Sequence, residues 1–314
     1  MKAITQQTFG GPEVLVVSEV DRPTPIQTEV LVRVHAAGVN PVDWKSRAGG
    51  GMAGVLGDPP FILGWDVSGV VEEVGFGVTT VKPGDEVYGM PWFPRAASAY
   101  AEYVTAPSRH FALKPANISH VEAAALPLAV LTAWQALVDT AHVSAGQRVL
   151  VHAAAGGVGH LAVQIAKAKG AYVIGTASAG KHEFLKSIGA DEVVDYTAVR
   201  FEDVVSDVDV VIDLVGGDNA IRSVGVLKPG GILVAVPSGL QEGVAEAAAK
   251  AGVRSSAFLV EPDGAALTEI AGLVADGKIK VRIEAVLPLE DAGKAHELGE
   301  AGRSTGKIVL SVVE

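Results

Sequence analysis

The chain has 314 residues, 49% of them hydrophobic, and carries 25 Lys and Arg against 36 Asp and Glu, a net charge of −11, with no cysteine. The acidic balance argues against non-specific binding to nucleic acid or to anionic membranes, since both depend on surplus Lys and Arg. No disulfide framework can form, and the length fits two domains better than one. The apolar-rich stretch 123–138 is interrupted by Pro127, Thr132 and Gln135 and falls short of a membrane span, and the first residues lack the apolar core of a secretory signal. A soluble, cytoplasmic protein with neither nucleic-acid nor membrane partners is the expectation.

Residues 1–122 read as short strands at 2–7, 14–20, 29–37, 67–74, 85–90 and 100–106, with no long amphipathic helix between them. Gly10-Gly11-Pro12, Gly49-Gly50-Gly51 and Lys82-Pro83-Gly84-Asp85 supply the turns, which suggests a partly barrel-like β region. From about residue 123 the pattern changes to strands alternating with helices, the signature of a parallel sheet covered on both faces. Strands are predicted at 148–153, 171–177, 192–196, 208–215, 231–237 and 255–260, six in all, as a full dinucleotide fold requires. Beyond residue 277 come a strand-like 281–289, a helix over 290–300 and a last strand at 307–313. This tail is expected to return to the first domain. The predicted layout is therefore 1–122 with 280–314 as one domain and 123–279 as an inserted dinucleotide-binding domain, with the active site in the cleft between them.

The stretch 149–159 carries the clearest chemistry. Val149 to His152 is an apolar, β-rich run, and Val158, Leu161, Ala162, Ile165 and Ala166 then mark one face of a helix. Gly156, Gly157 and Gly159 lie between, so Ala155, Gly156, Gly157 and Val158 are placed against the pyrophosphate of a dinucleotide at a helix N-terminus. The spacing departs from G-x-G-x-x-G, and the same residues would also serve a small-residue packing turn. An acidic residue at the end of the second strand normally binds the ribose 2′-hydroxyl. Here that strand ends Ile174-Gly-Thr-Ala-Ser178, no acid appears before Glu183, and Ser178 and Lys181 occupy the loop. The reading is NADPH rather than NADH.

With these residues in view, the chain resembles the medium-chain dehydrogenase/reductase superfamily, in the zinc-free NADPH:quinone oxidoreductase branch that includes zeta-crystallin. The resemblance rests on Ala37-Gly-Val-Asn40-Pro-Val-Asp43, Gly64-Trp-Asp-Val-Ser-Gly-Val-Val-Glu-Glu-Val-Gly75, Val81-Lys-Pro-Gly-Asp-Glu-Val87, Tyr100-Ala-Glu-Tyr103, Leu131-Thr-Ala133, the 153–159 turn and Gly306-Lys-Ile-Val-Leu310. It implies an α/β chain with a GroES-like β-rich catalytic domain, an inserted Rossmann domain and a homodimer. The zinc-dependent members have Cys where this chain has Asn40 and His-Glu where it has Trp65-Asp66, so the resemblance implies no metal site. His152, on the buried strand, reads as a core histidine.

The same resemblance places Asn40 and Thr132 near the nicotinamide and Tyr196 near the nucleotide. Val215, Val236 and Ser238 then fall along the cofactor channel, and Arg303 at the phosphate end. It implies hydride transfer from NADPH to a quinone or a similar electrophilic carbonyl. An enoyl or 2-alkenal reductase and a non-enzymatic NADPH-binding protein are the alternatives. The catalytic candidates are Asn40, Asp43, Lys45 and Trp65. Asn40 could instead close an Asx-type turn, Asp43 a structural loop bond, and Trp65 either walls a flat acceptor or packs. No spacing identifies the proton donor among Lys45, Trp65 and solvent.

Overall fold

The computed structural model describes residues 1–236 and 242–313, and its chain divides into two compact units. The first holds Met1–Leu131, Glu261–Gly277 and Val281–Glu314. Its opening strands are β1 (Lys2–Gln6), β2 (Leu15–Glu19), β3 (Glu29–Val39), β4 (Phe61–Ile62), β5 (Asp66–Val74), β6 (Glu86–Gly89), β7 (Tyr103–Pro107) and β8 (Phe111–Leu113). β3 is the organising strand: Val30, Leu31, Val32, Val34, Ala36 and Ala37 are all buried, so it lacks the in-out alternation of a sheet with one wet face. It pairs antiparallel with both β5 and β7. Val67, Val71, Val87, Val104 and Phe111 complete the apolar core beside it.

The second unit, Thr132–Val260 with Lys278–Lys280, contains β9 (Arg148–Val151), β10 (Tyr172–Ala177), β11 (Glu192–Asp195), β12 (Val208–Asp213), β13 (Leu227–Ala235) and β14 (Arg254–Ala257). They form one parallel sheet in the order β11-β10-β9-β12-β13-β14, the doubly wound 3-2-1-4-5-6 arrangement of dinucleotide-binding folds. Val149, Leu150 and Val151 of the central β9 are completely buried. The helix Gly159–Ala168 buries its first eight residues. Leu150, Ile174, Val211 and Leu233 meet Phe201, Val224 and Val244 in the core on one side of the sheet.

The chain then contributes β15 (Ile283–Pro288), the helix Ala292–Glu300 and β16 (Lys307–Ser311) to the first unit. β16 pairs with β15 on one side and antiparallel with β3 on the other. The unit boundaries differ from 122 and 280. Residues to Leu131 stay with the first unit, where the Leu128 N–H donates to Asp66 at 2.7 Å. The helix Gly264–Ala275 also belongs there. A Cβ at Gly264 would lie 2.4 Å from the Arg109 carbonyl oxygen, the Tyr88 hydroxyl donates to Leu267 O at 2.6 Å, and Asn117 donates to Val274 O at 3.1 Å. β13 begins at Leu227, before the predicted Pro229-Gly230 turn, with the register shift opposite Val208 to Val210 absorbing those residues. In the first unit the short helix Pro41–Arg47 interrupts what reads as β structure.

Candidate functional site

At the end of β9 the chain turns sharply, with Ala153 in the left-handed region at φ 47°. The Ala153 N–H faces the Thr176 hydroxyl at 3.3 Å, and the Ala154 N–H donates to Thr176 O at 3.0 Å. Gly159 opens the helix, and its missing Cβ is required: one placed there would lie 2.3 Å from Ala153 O. Among the described residues, the N–H groups of Ala155, Gly157 and Val158 make no backbone hydrogen bond, so the donors of this turn and the positive end of a ten-residue helix are available together. That cradle fits the pyrophosphate of a dinucleotide. His152 is a core histidine. Its Nδ1 lies 3.2 Å from the Thr176 hydroxyl and its Nε2 2.9 Å from the Ser223 hydroxyl, and burial pushes its pKa down to about 4.

Ser178 follows β10 directly and precedes the single helical turn Ala179–Lys181, whose Lys181 N–H donates to Ser178 O at 2.9 Å. β11 ends at Asp195, directly opposite Ala177, and the next residue, Tyr196, is 61% exposed. Val215 and Val236 are tied by one residue not anticipated from the sequence, Asp213 at the end of β12. Its buried carboxylate accepts from the N–H of Val215 at 3.0 Å, the N–H of Gly216 at 3.2 Å and the Asn219 amide at 2.9 Å. Its carbonyl accepts from Val236 N–H at 3.0 Å. Two predicted channel residues are thus fixed by a single side chain and its peptide. Ser238 lies outside the described residues.

In the first unit, Asn40 caps the helix Pro41–Arg47 and sits in a buried polar cluster. The Asp43 carboxylate accepts from the Asn40 N–H at 2.6 Å, a capping-box contact in which Pro41 needs no hydrogen bond. The Asn40 side-chain amide donates to Asp66 at 2.8 Å, and its oxygen accepts from the Lys307 ammonium, which also donates to Val39 O at 3.1 Å and stands 3.7 Å from Asp66. Gly38 makes room, for a Cβ there would lie 2.8 Å from an Asp66 oxygen. Burial pushes the Asp66 carboxyl up and the Lys307 ammonium down, and each opposes the other's shift.

A second chain of bonds leaves Asp43. Its Oδ2 accepts from the Tyr100 hydroxyl at 3.0 Å, and that hydroxyl lies 3.2 Å from His296 Nε2. His296 Nδ1 lies 3.2 Å from Arg47, which also donates to Glu300 at 2.7 Å. Because arginine only donates, His296 Nδ1 is the acceptor and Nε2 carries the proton that reaches Tyr100. Burial, then the neighbouring Arg47, push the His296 pKa down to about 3, so it is neutral. Burial pushes Asp43 up to about 7, and its other oxygen has no hydrogen-bond partner among the described residues.

The structure therefore brings Asn40 and Asp43 together and reveals Asp66, Lys307, Tyr100 and His296 as their partners. The remaining candidates have surroundings of their own. Trp65 is buried, donates to Arg95 O at 2.7 Å and meets Phe93 edge-on at 5.5 Å, which is packing. Lys45 is exposed on the helix Pro41–Arg47. Thr132 is buried in the helix Pro127–Trp134, and Arg303 is exposed ahead of β16. The signal that could have found Lys307 is its place after Gly306 at the start of the last strand. Nothing in the spacing links it to Asp66.

Residues 26–116 match the alcohol dehydrogenase GroES-like domain and residues 188–310 a domain described as zinc-binding dehydrogenase. The chain is 39% identical to 2-methylene-furan-3-one reductase of Solanum lycopersicum, over 99% of this chain and 79% of that protein. It superposes on the quinone oxidoreductase of Coxiella burnetii with a TM-score of 0.94 and 42% identity, covering 100% of this chain and 99% of that one. On Escherichia coli quinone oxidoreductase complexed with NADPH the TM-score is 0.87 with 31% identity, over 99% and 100%. The chain belongs to the medium-chain dehydrogenase/reductase superfamily. Within it, the quinone oxidoreductases are its family, and the chain is an NAD(P)H-dependent oxidoreductase.

The zinc in one domain description does not fit the residues present. Asn40, Trp65 and Asp66 include one carboxylate and no thiolate or imidazole, and that carboxylate already accepts from Leu128 N–H and the Asn40 amide beside the Lys307 ammonium. Among the described residues no group of three or more His, Cys, Asp or Glu is arranged to hold a metal. No described helix is long and apolar enough to cross a membrane.

Proposed function

We propose that the protein delivers hydride from NADPH to a quinone or an α,β-unsaturated carbonyl without the help of a metal. The observation that carries this reading is the open N–H groups of Ala155, Gly157 and Val158 in the turn at the end of β9, supported by a buried cluster whose cation is an ammonium. The bound dihydronicotinamide supplies the hydride. Ala155, Gly156, Gly157 and Val158 hold the pyrophosphate, and Ser178 and Lys181 receive the 2′-phosphate. Tyr196, Thr132, Val215, Val236, Ser238 and Arg303 complete the cofactor's surroundings. Asn40 and Asp43 are positioning residues that fix the start of the helix Pro41–Arg47, and Trp65 packs against Phe93 while donating to Arg95 O. Lys45, exposed on that helix, supplies the acceptor oxygen with a proton in exchange with solvent.

An acceptor must already be electrophilic, because nothing in the cluster polarises an alcohol. The similarity to a furanone reductase supports enones beside quinones. The absence of cysteine supports a cytoplasmic setting, and the family resemblance supports a homodimer. Anaerobic NADPH oxidation against a panel of quinones, enones, aldehydes and secondary alcohols (the last with NADP) tests the reading. Turnover of quinones or enones is expected. Turnover of secondary alcohols alone would overturn it.

A further inference from the structure

The loop read as the 2′-phosphate site has a resident carboxylate. β10 and β11 run parallel with Ala177 opposite Asp195, so Asp195 stands beside the point where the chain leaves β10 for Ser178. Its Oδ1 accepts from the Thr197 hydroxyl at 2.6 Å and the Thr197 N–H at 2.9 Å. The Ala179 N–H, one residue past Ser178, also donates to this carboxylate, and His182 lies close enough to act on its charge. The His182 ring is itself anchored, with Nε2 3.3 Å from Ala177 O. Together these contacts, Thr197 foremost, hold Asp195 below the usual carboxylate range, so it is ionised at neutral pH. The acid that is missing from the end of the second strand is thus supplied from the end of the third.

We propose that Asp195 is a specificity-determining residue that opposes the 2′-phosphate drawn in by Ser178 and Lys181 and accepts a hydrogen bond from the 2′-hydroxyl of NADH. The inference rests on the placement of the dinucleotide at the 155–158 turn. A phosphate arriving at this loop meets a carboxylate that repels a second anion. NADH meets only an acceptor. The chain accordingly discriminates less between the two cofactors than Ser178 and Lys181 alone would dictate.

The test is calorimetric titration of the full chain with NADPH and with NADH, for wild type, Asp195→Asn and Thr197→Val, at low and high salt. Asp195→Asn keeps the shape and an acceptor for Thr197 while removing the charge. It is expected to tighten NADPH about tenfold at low salt, with the gain shrinking as salt rises, and to leave NADH unchanged or weaker. Thr197→Val loosens the same turn without changing charge, and is expected to leave the NADPH to NADH ratio within about twofold. An Asp195→Asn ratio equal to the wild-type ratio, with both cofactors still binding, overturns the role of Asp195 and leaves the cofactor site standing. Wild type that binds neither cofactor overturns the site and the inference together.

Discussion

The turn at residues 153–159 and the cluster around Asn40 both hold polar groups at the end of a central strand, but they are built from opposite materials. The turn uses backbone. Its donors come from peptide groups and a helix end, and Gly159 approaches Ala153 O too closely for any other residue there. The cluster uses side chains, with Asp43, Asp66, Arg47 and Lys307 all buried and joined through Asn40, Tyr100 and His296. A backbone site tolerates variation around it as long as the glycines remain. A buried ionic site depends on every member, because removing one leaves another's charge without compensation.

The largest effect expected from this contrast is at Lys307. Lys307→Met removes the ammonium facing Asn40 and Asp66 and should lower stability by about 3–5 kcal/mol in urea unfolding, as loss of one partner from a buried pair does. A loss under about 1 kcal/mol would show that the cluster is not dry, since exposed pairs are worth no more than that.

Asp43 tests the same point through pH. Its folded pKa of about 7 lies above the ordinary carboxylate value, so the folded chain holds a proton that the unfolded chain releases. The stability tied to this group is complete below about pH 4 and is lost as pH rises to about 7, at roughly 1.4 kcal/mol per pH unit. His152 and His296 slope the other way, being held neutral at about 4 and about 3, but their contribution cancels between variants. Asp43→Asn should therefore gain on wild type by that amount per unit across the window. A flat difference would place water beside the carboxyl.

In the backbone site, Gly159→Ala forces a methyl against Ala153 O and should cost about 1–3 kcal/mol of stability, with NADPH affinity falling at least about tenfold. Unchanged affinity would detach the turn from the cofactor. The smallest effect belongs to Lys45→Met. Exposed on its helix, the residue should contribute within about 0.5 kcal/mol to stability, while kcat falls about tenfold with NADPH affinity unchanged. An unaltered kcat would hand the proton to solvent.

This difference in materials also decides what could be read from the sequence. The six strands of the parallel sheet were legible because β-rich apolar runs and glycine punctuation are local signals, and His152 declared itself as a core residue by sitting on one of those runs. The helix after Asn40 was missed although Asn40, Pro41 and Asp43 form a capping box, because a seven-residue helix leaves little periodicity to detect. The unit boundaries near 131 and 261 have no local signal, for contacts such as Tyr88 to Leu267 join residues far apart in the chain. The pairing of Lys307 with Asn40 spans 267 residues, and Asp195 comes beside the loop after β10 through strand register. Neither has a trace in spacing.

The position of Lys307 in the last strand also sets a timetable for synthesis. A ribosome delivers Asn40 and Asp66 early, and both must await a counter-ion encoded near the other end of the chain. Until β16 is released and joins β3, the carboxylate of Asp66 lacks the cation that offsets its burial. The nucleotide unit, whose sheet is complete by residue 257, has no such dependence. The parallel sheet is thus complete in the chain before β16, the strand that completes the pairing of β3, has been made.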